Sequence, residues 1–264
     1  MRNKLTDELA ICGMNTVSAA AEFHPGNINR LFLREDRLKS FTEICKQLAE
    51  RKRPYKLCDD EELERICKTV HHQGVVAMIY APELLPLTRE DLDEWAAGGK
   101  TGIVLHSIGN DLNLGAIVRS AAFFDAPLVV LSGISAEDDS GLHLTTAAYR
   151  IAEGGMEHVR IRTIQNTSSF LKDASRRLVT IGADNRARQR ICDLSALLRE
   201  HSFTRNPGTT RPGTALVLGN EETGLPREVK DSCSVLVRIP GTGLMESLNV
   251  AQAANLFLYE LFNL

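Results

Sequence analysis

The chain has 264 residues, of which 43% are hydrophobic and 25% are charged, the composition of an ordinary soluble globular protein. No apolar run approaches the roughly 20 residues that a membrane-spanning helix requires, and the N-terminal residues lack the long apolar stretch of a signal peptide. The net charge of −3 is not that of a typical nucleic-acid-binding protein.

The six cysteines are scattered along the chain and form no C-x-x-C pair. We therefore expect reduced, mostly buried thiols of a cytoplasmic protein, and neither a disulfide framework nor a metal site.

Positive charge is concentrated in two stretches. Residues 30–56 hold nine Lys or Arg against four acids, and residues 186–211 hold six Arg against two acids. Local basic segments can bind nucleic acid whatever the net charge. The alternative for each stretch is an ordinary solvated face.

Helices and strands alternate over the first 80 residues. The predicted helices cover residues 13–24 and 38–51, and a third begins at the acidic run from Asp59. The predicted strands cover residues 29–34, 55–57 and 74–79. Such alternation is typical of a compact α/β domain, which we place at residues 1–80. Residues 81–100, with two prolines, an acidic helical pattern and a Gly-Gly pair, are predicted to be a linker carrying a short helix.

From Thr101 onward, strands that are apolar throughout alternate with helices. They are predicted at residues 102–105, 127–131, 159–164, 178–181, 215–218 and 234–239. Continuous Val, Ile and Leu runs between helices indicate a parallel sheet covered on both faces, so residues 101–264 form a second domain. Ligand sites in such sheets lie at the carboxyl ends of the strands.

The first motif follows the first of these strands. Asn113, Gly115 and Arg119 are spaced N-x-G-x-x-x-R, with a helix predicted over residues 115–124. A long side chain in the first turns of that helix can swing back towards the strand ends. The alternative for Arg119 is a surface arginine that pairs along its own helix.

The second motif is Leu218-Gly219-Asn220-Glu221, followed by Gly224-Leu225-Pro226. A glycine at the end of a strand lets a ligand approach the backbone, and Glu221 follows within reach of it. Pro226 suits the first turn of a helix, where its missing N–H does no harm.

The third motif follows the last strand. Pro240, Gly241 and Gly243 predict a tight exposed bend, and Ser247-Leu248-Asn249-Val250 leads into an apolar helix that continues to Leu261. The alternative for Ser247 is a helix cap and nothing more. A dinucleotide-binding fingerprint is excluded, because Glu246 stands where its third glycine would be.

Together the three motifs resemble those of the SpoU (TrmH-like) RNA ribose 2′-O-methyltransferases, in the same order along the chain. Residues 13–17 and 71–75 resemble the N-terminal RNA-binding domain of many SpoU enzymes, a domain similar to a small α/β fold of large-subunit ribosomal proteins. The alternative for His72-Gln73-Gly74 is a turn that precedes a strand. Two departures stand out. Residues 149–151 are bulkier than the small-residue segment that many relatives have there, and Asp125 replaces a usual glycine.

The resemblance implies a SPOUT α/β fold with a C-terminal trefoil knot, S-adenosylmethionine bound in the knot, and a homodimer with its site near the interface. It implies methylation of a ribose 2′-hydroxyl in structured RNA without a metal, with ribosomal RNA favoured and transfer RNA as the alternative target. An RNA-binding protein that has lost catalysis is the rival from another class. A nucleotide-dependent enzyme of Rossmann type is a weaker one.

The resemblance also implies roles for individual residues. Gly219, Ile239 and Leu248 would hold the cofactor. Ser247 and Asn249 would orient the ribose, while Glu221 and Asn113 position their neighbours. Arg119 is the family's candidate base, but arginine keeps its proton in proteins, so we expect it to anchor an RNA phosphate with its two-pronged guanidinium.

Overall fold

The computed structural model describes residues 2–3, 7–132, 144–205 and 212–264. Contacts divide the chain into two compact units. The first comprises Met1–Glu83 and His143–His158, and the second comprises Leu84–Leu142 and Val159–Leu264.

The strands and helices are numbered in chain order. The strands are β1 (Arg2–Asn3), β2 (Glu8–Cys12), β3 (Ile28–Leu33), β4 (Tyr55–Leu57), β5 (Val75–Tyr80), β6 (Thr101–His106), β7 (Leu128–Ser132), β8 (Arg160–Ile164), β9 (Val179–Ala183), β10 (Gln189–Arg190), β11 (Thr214–Leu218) and β12 (Val235–Arg238). The α-helices are α1 (Met14–Phe23), α2 (Thr42–Glu50), α3 (Asp60–Cys67), α4 (Arg89–Ala97), α5 (Asp111–Phe123), α6 (Thr146–Ala152), α7 (Thr167–Ala174), α8 (Leu194–Arg205), α9 (Arg227–Lys230) and α10 (Val250–Phe262).

The first unit is built on a mixed sheet. Among the described residues five strands join in the order β1-β2-β5-β3-β4, with β3 and β4 parallel and the other pairs antiparallel. Strand β2 was not predicted, because its apolar pattern begins at a charged residue. Glu8 is nevertheless buried and is bonded by the side chains of Asn29 and Arg30, which satisfies its charge.

Helix α6 belongs to this first unit although it comes from the middle of the chain. Tyr149 is buried in the same apolar cluster as residues of β2, β3 and β5. Thr146 Oγ1 donates to the Ala10 carbonyl at 2.7 Å, and Thr16 Oγ1 donates to the Tyr149 carbonyl at 3.2 Å. The side chain of Tyr149 therefore fills part of the core of the first unit.

The segment His72-Gln73-Gly74 holds the local backbone. Gln73 Oε1 accepts the Met14 N–H at 2.7 Å at the start of α1, and His72 Nδ1 accepts the Gly74 N–H at 3.1 Å. Gly74 has a φ of 80°, which favours glycine. These contacts support the turn-shaping interpretation of the segment.

The second unit is built on a parallel sheet. Among the described residues seven strands join in the order β10-β12-β9-β11-β6-β7-β8, and every neighbouring pair is parallel. The six predicted strands of this unit are all present, and only the two-residue β10 was missed. Asp125 has a φ of 54°, a left-handed backbone conformation that favours glycine.

Most of the predicted linker, residues 84–100, is part of the second unit. The Leu87 N–H donates to the Thr163 carbonyl, and the Thr163 N–H donates to the Leu85 carbonyl. This stretch therefore runs beside the edge strand β8. In α4, Trp95 is 2% exposed and its Nε1 donates to the Thr214 carbonyl at 3.1 Å. A methyl group on Gly102 would lie 2.4 Å from the Trp95 ring, so that glycine is required for the packing.

The contacts of the structure thus draw boundaries that differ in two places from those predicted at residues 80 and 100. Residues 84–100 pack with the second unit, and residues 144–158 pack with the first. Both differences have one physical cause: each segment carries a large aromatic ring that is buried in the unit it joins.

Across the described ranges no helix is long and apolar enough to cross a membrane, and no group of three or more His, Cys, Asp or Glu is placed to hold a metal ion. The six cysteines are free thiols, and four of them are buried.

Trp95→Ala is expected to lower the free energy of unfolding by about 3–5 kcal/mol, because truncating a buried aromatic side chain leaves a cavity. Leu85→Ala is the matched control from the same segment, since Leu85 is 46% exposed, and it is expected to change stability by less than about 1 kcal/mol. Urea denaturation measures both. If both variants changed the free energy of unfolding by similarly small amounts, residues 84–100 would be a linker and not a packed part of the second unit.

Candidate active site

The three motifs meet at the carboxyl edge of the parallel sheet. Strands β6 and β11 are neighbours, so the segments that follow them, which carry the first and second motifs, leave the sheet side by side. The third motif follows β12, which lies two strands from β11, and leads into α10. Helix α10 packs against α5, which brings its first residues next to the first motif.

A chain of two hydrogen bonds joins one residue from each motif. Asn113 Nδ2 donates to Glu221 Oε1 at 2.8 Å, and Asn249 Nδ2 donates to Asn113 Oδ1 at 3.0 Å. Asn113 is 8% exposed, so both ends of its carboxamide are satisfied inside the protein. Glu221 Oε2 also accepts the Gly109 N–H at 3.4 Å. Residues that are distant in sequence thus form one polar network, the Asn113 network (Asn113, Glu221 and Asn249).

Asn249 also starts the last helix. Its Oδ1 accepts the N–H groups of Ala251 and Gln252 at 2.9 and 3.4 Å, which makes it the N-cap of α10. The alternative in which Ser247 merely caps this helix is therefore wrong. Ser247 lies in the exposed segment 240–249, two residues before the cap.

Asn220 is a site residue whose role the sequence reasoning missed. Its Oδ1 accepts the N–H groups of Glu222 and Thr223 at 3.0 and 3.1 Å, and its Nδ2 donates to the Ser107 carbonyl at 2.8 Å. This side chain closes the turn that presents Glu221 and ties it to the end of β6. An asparagine directly before the motif's Glu, at a strand end, is the signal that could have found it.

Gly219 serves this same turn. A Cβ at residue 219 would lie 2.3 Å from the Gly224 carbonyl carbon, so the close approach that its glycine permits is made by the protein's own backbone. By contrast, apart from the adjacent residues of the chain, no heavy atom of the described residues lies within 4 Å of the corresponding position at Gly224, Gly241 or Gly243. The space beside the backbone is open at those three glycines.

The other two residues expected to hold a cofactor lie in the third motif. Ile239 is half-buried directly after β12. Leu248 is 48% exposed and, with Ala116 and Ala251 among others, lines a cavity of about 460 Å³ between α5 and α10. Leu244 and Met245, in the same segment, are exposed as well.

Arg119 lies on the exposed side of α5, six residues after the buried Asn113. The two hydrogen bonds of the Asn113 network do not include it. The structure thus brings Asn113, Glu221 and Asn249 together and places Arg119 and Ser247 at the surface.

A second polar group lies at the ends of the neighbouring strands. His106 Nδ1 and Thr167 Oγ1 are 2.8 Å apart, and the Ser132 hydroxyl is 2.5 Å from the same Thr167 oxygen. Burial lowers the pKa of His106 below its ordinary value, which favours the neutral imidazole. Nothing in the sequence pattern singled out these residues.

A model of the SpoU rRNA methylase family matches residues 100–259, more than half of the chain. The chain belongs to the SpoU rRNA methylase family. A second model, that of an RNA 2′-O ribose methyltransferase substrate-binding domain, matches residues 10–85. Both matches confirm the resemblance inferred from the motifs.

Curated and solved relatives of this SpoU protein cover nearly its whole length. It is 28% identical to the 23S rRNA (guanosine-2′-O-)-methyltransferase RlmB of Bordetella pertussis, over 95% of each chain. The SpoU methyltransferase AviRb of Streptomyces viridochromogenes matches it with a TM-score of 0.70 and 21% identity, over 98% of this chain and 90% of that one. An AdoMet-bound rRNA methyltransferase of Sinorhizobium meliloti matches with a TM-score of 0.70 and 21% identity, over 97% and 87%.

The solved relatives confirm the predicted fold class, a SPOUT-type parallel sheet preceded by a small α/β domain. The C-terminal trefoil knot stays a prediction that rests on the resemblance.

Asn113→Asp is expected to make stability fall as pH rises. The new carboxyl group would face Glu221 where an amide now donates, so like-charge repulsion would raise a folded-state carboxyl pKa above its unfolded value. A raised folded pKa contributes stability at low pH that is lost as pH increases through that pKa. Between about pH 4 and pH 7 the variant should lose roughly 2 kcal/mol relative to wild type.

Asn110→Asp is the matched control, since Asn110 is the exposed N-cap of α5. A carboxylate at a helix N-terminus is stabilised, so this variant should gain stability relative to wild type over the same pH range. Urea denaturation at several pH values measures both. The Asn113 network would be contradicted if the two variants showed the same pH trend.

Proposed function

We propose that the protein transfers a methyl group from S-adenosylmethionine to a ribose 2′-hydroxyl of structured RNA. The observation that carries this proposal is the Asn113 network, which unites residues of all three SpoU motifs at one edge of the sheet. Ribosomal RNA is the favoured substrate, because RlmB is named for 23S rRNA and the Sinorhizobium meliloti relative for rRNA. Transfer RNA is the alternative target.

The residues at the carboxyl edge suit the cofactor. Open space beside the backbone at Gly224, Gly241 and Gly243 admits a ligand that contacts main-chain groups. Gly219, Ile239 and Leu248 would hold it through backbone and apolar contacts. Bound S-adenosylmethionine supplies a methyl group on a positively charged sulfur, which is already activated towards an attacking oxygen.

The protein's own task is then mainly alignment of the ribose and removal of its proton. Ser247, on the exposed segment, and Asn249 at its end orient the ribose. Asn113 fixes the Asn249 carboxamide, and Glu221, held by Asn113 and by the Gly109 N–H, keeps that amide in position. The proton of the 2′-hydroxyl passes to an RNA phosphate or to water.

Arg119 acts as an anchor for an RNA phosphate. Arginine is a poor base in proteins, whereas the planar fork of its guanidinium matches two phosphate oxygens. Its charge also stabilises the alkoxide that develops on the ribose. Its exposed position on α5 is suited to contact with a large substrate.

The first unit contributes to RNA recognition, in keeping with the substrate-binding family that residues 10–85 match. Many cations of the basic stretch 30–56 are engaged within the chain. Arg34 pairs with Asp36 and Asp60, and Arg53 Nη1 donates to the carbonyls of Gly26 and Ile28. Exposed lysines such as Lys39 and Lys52 are the better candidates for phosphate contacts.

The rival is an RNA-binding protein that has kept the fold and lost catalysis. The hydrogen bonds that join one residue from each motif disfavour it, because a protein released from catalysis has no need of such a polar network at a ligand edge. Calorimetric titration with S-adenosylmethionine separates the two, since the rival predicts no binding.

We also propose that the protein is a homodimer. The outer face of α10 exposes Leu256, Tyr259 and Phe262, and Phe123 of α5 is 79% exposed. The rings of Tyr259 and Phe262 both contact Phe124, which extends this patch across the two helices. A contiguous exposed apolar patch of this kind is typical of an interface, and a second copy of the same chain covers it with twofold symmetry.

Ser247→Ala is expected to remove most methyl transfer without loss of stability. The residue is exposed and lies before the helix cap, so the free energy of unfolding should change by less than about 0.5 kcal/mol. The single-turnover rate should fall at least about tenfold, because a lost orienting contact misplaces the ribose. Labelled methyl transfer to ribosomal RNA measures the rate, and mapping of ribose methylations in cells lacking the gene identifies the nucleotide.

Asn249→Ala is the matched comparison, because the Asn249 side chain both orients the ribose in the proposed mechanism and caps α10. It should lose activity as well and also about 1 kcal/mol of stability through the lost cap. A Ser247→Ala enzyme that keeps its activity per folded molecule would remove Ser247 from the proposed mechanism.

The dimer is expected to dissociate when charge is placed in the apolar patch. Wild type should sediment as a dimer at micromolar concentration, whereas Phe123→Asp with Phe262→Asp should sediment as a monomer, because burying two carboxylates at the interface is costly. Leu57→Asp, a change at an exposed apolar residue of β4 in the first unit, is the control and should remain dimeric. Monomeric wild type at this concentration would contradict the proposal.

A further inference from the structure

Three arginines follow β9 at the carboxyl edge of the sheet, beside the segment that carries Ser247. Arg186, Arg188 and Arg190 are all exposed. Asn185 Nδ2 donates to the Glu246 carbonyl at 3.2 Å, which attaches this turn to the residue that directly precedes Ser247. The second of the two basic stretches in the sequence thus begins next to the candidate active site.

Arg190 is also held close to another arginine. Strands β10 and β12 are parallel, and Arg190 is the register partner of Arg238. Partners in register place their side chains on the same face, where like charges oppose each other unfavourably. Arg238 Nε is in addition buried without a hydrogen-bond partner among the described residues. A buried N–H donor without a hydrogen-bond partner lowers the stability of the folded protein.

Nearby carboxylates pair with only two of these four arginines. Asp184 is ion-paired with Lys230 and accepts the Arg186 N–H at 2.7 Å. Asp193 Oδ2 lies 3.7 Å from Arg190 Nε, and Glu246 Oε1 lies 3.9 Å from Arg186 Nη2. Within the described part of the chain, no carboxylate pairs with the remaining two arginines, Arg188 and Arg238.

We propose that Arg188, Arg190 and Arg238 bind a phosphodiester group of the RNA strand next to the nucleotide that is methylated. An anion placed between Arg190 and Arg238 would relieve their repulsion. The guanidinium fork matches phosphate oxygens, and the turn is attached to the segment that presents Ser247. This inference rests on the proposed methyl transfer to RNA and names a second point at which the substrate strand is held.

The carboxylate of S-adenosylmethionine is the other anion that could reach this corner, and binding measurements distinguish the two. The test variant is Arg188→Ala with Arg190→Ala, both exposed positions, so that folding is preserved. Arg176→Ala is the matched control. Arg176 is an exposed arginine between α7 and β9, at the opposite, amino edge of the sheet.

The double variant is expected to raise the Kd for ribosomal RNA about tenfold, since charge-assisted contacts to phosphate are lost. The slope of log Kd against log salt concentration should become shallower by about 1 to 2, roughly one for each phosphate contact removed. The Kd for S-adenosylmethionine, measured by calorimetry, should stay at the wild-type value. Arg188→Lys with Arg190→Lys should recover much of the RNA affinity, because lysine contacts phosphate as a point charge.

Two results would overturn the proposal. A weakened Kd for S-adenosylmethionine with unchanged RNA affinity would assign the arginines to the cofactor carboxylate. An RNA Kd and salt slope equal to those of Arg176→Ala would show that they solvate the surface. The proposed function is tested separately. If it is wrong, the wild-type protein transfers no methyl group, whatever the RNA affinity of the variants.

Discussion

The candidate active site depends on one buried carboxamide. Asn113 donates to Glu221, 108 residues away, and accepts from Asn249, 136 residues away. An amide side chain presents a donor and an acceptor side by side, which is what the two bonds require. An aspartate would oppose Glu221, and an apolar residue would leave two polar groups without partners. Burial makes the arrangement selective, because each unsatisfied group in a poorly solvated position is costly.

Asn249 extends the network, because its carboxamide both bonds a site residue and caps a helix. Its nitrogen bonds Asn113 while its oxygen caps α10. The start of α10 is therefore fixed relative to α5 by the same side chain that orients the ribose in the proposed mechanism. The outer face of that helix carries the apolar patch assigned to the dimer. Under the two proposals, the same helix would link the orientation of the substrate to the contact between subunits.

The two basic stretches show that the ion-pair partners of the arginines matter more than the number of basic residues. In the first unit, Arg30 bonds the buried Glu8 and Arg34 pairs with two aspartates, so these cations serve the fold. In the second unit, Arg190 pairs with Asp193 but also faces Arg238 across a parallel strand pair, and within the described residues no carboxylate pairs with Arg238. The two stretches have similar sequence signatures. They differ in how far carboxylates of the protein pair with the arginines. The second stretch includes Arg188, for which no carboxylate partner lies within the described residues, and it is therefore the better candidate to bind phosphate.

The sequence by itself determined the parallel sheet, its strand positions and the grouping of three motifs at its carboxyl edge. Continuous apolar runs and glycine or proline bends are local signals, so they can be recognised without the fold. It could not decide whether Ser247 or Asn249 caps α10, because both suit a helix start and the choice depends on Asn113. Nor could it place Trp95 and Tyr149 in the cores that bury them, or show that Arg190 opposes Arg238. Those outcomes depend on strand order and packing between distant segments, which only the tertiary structure decides.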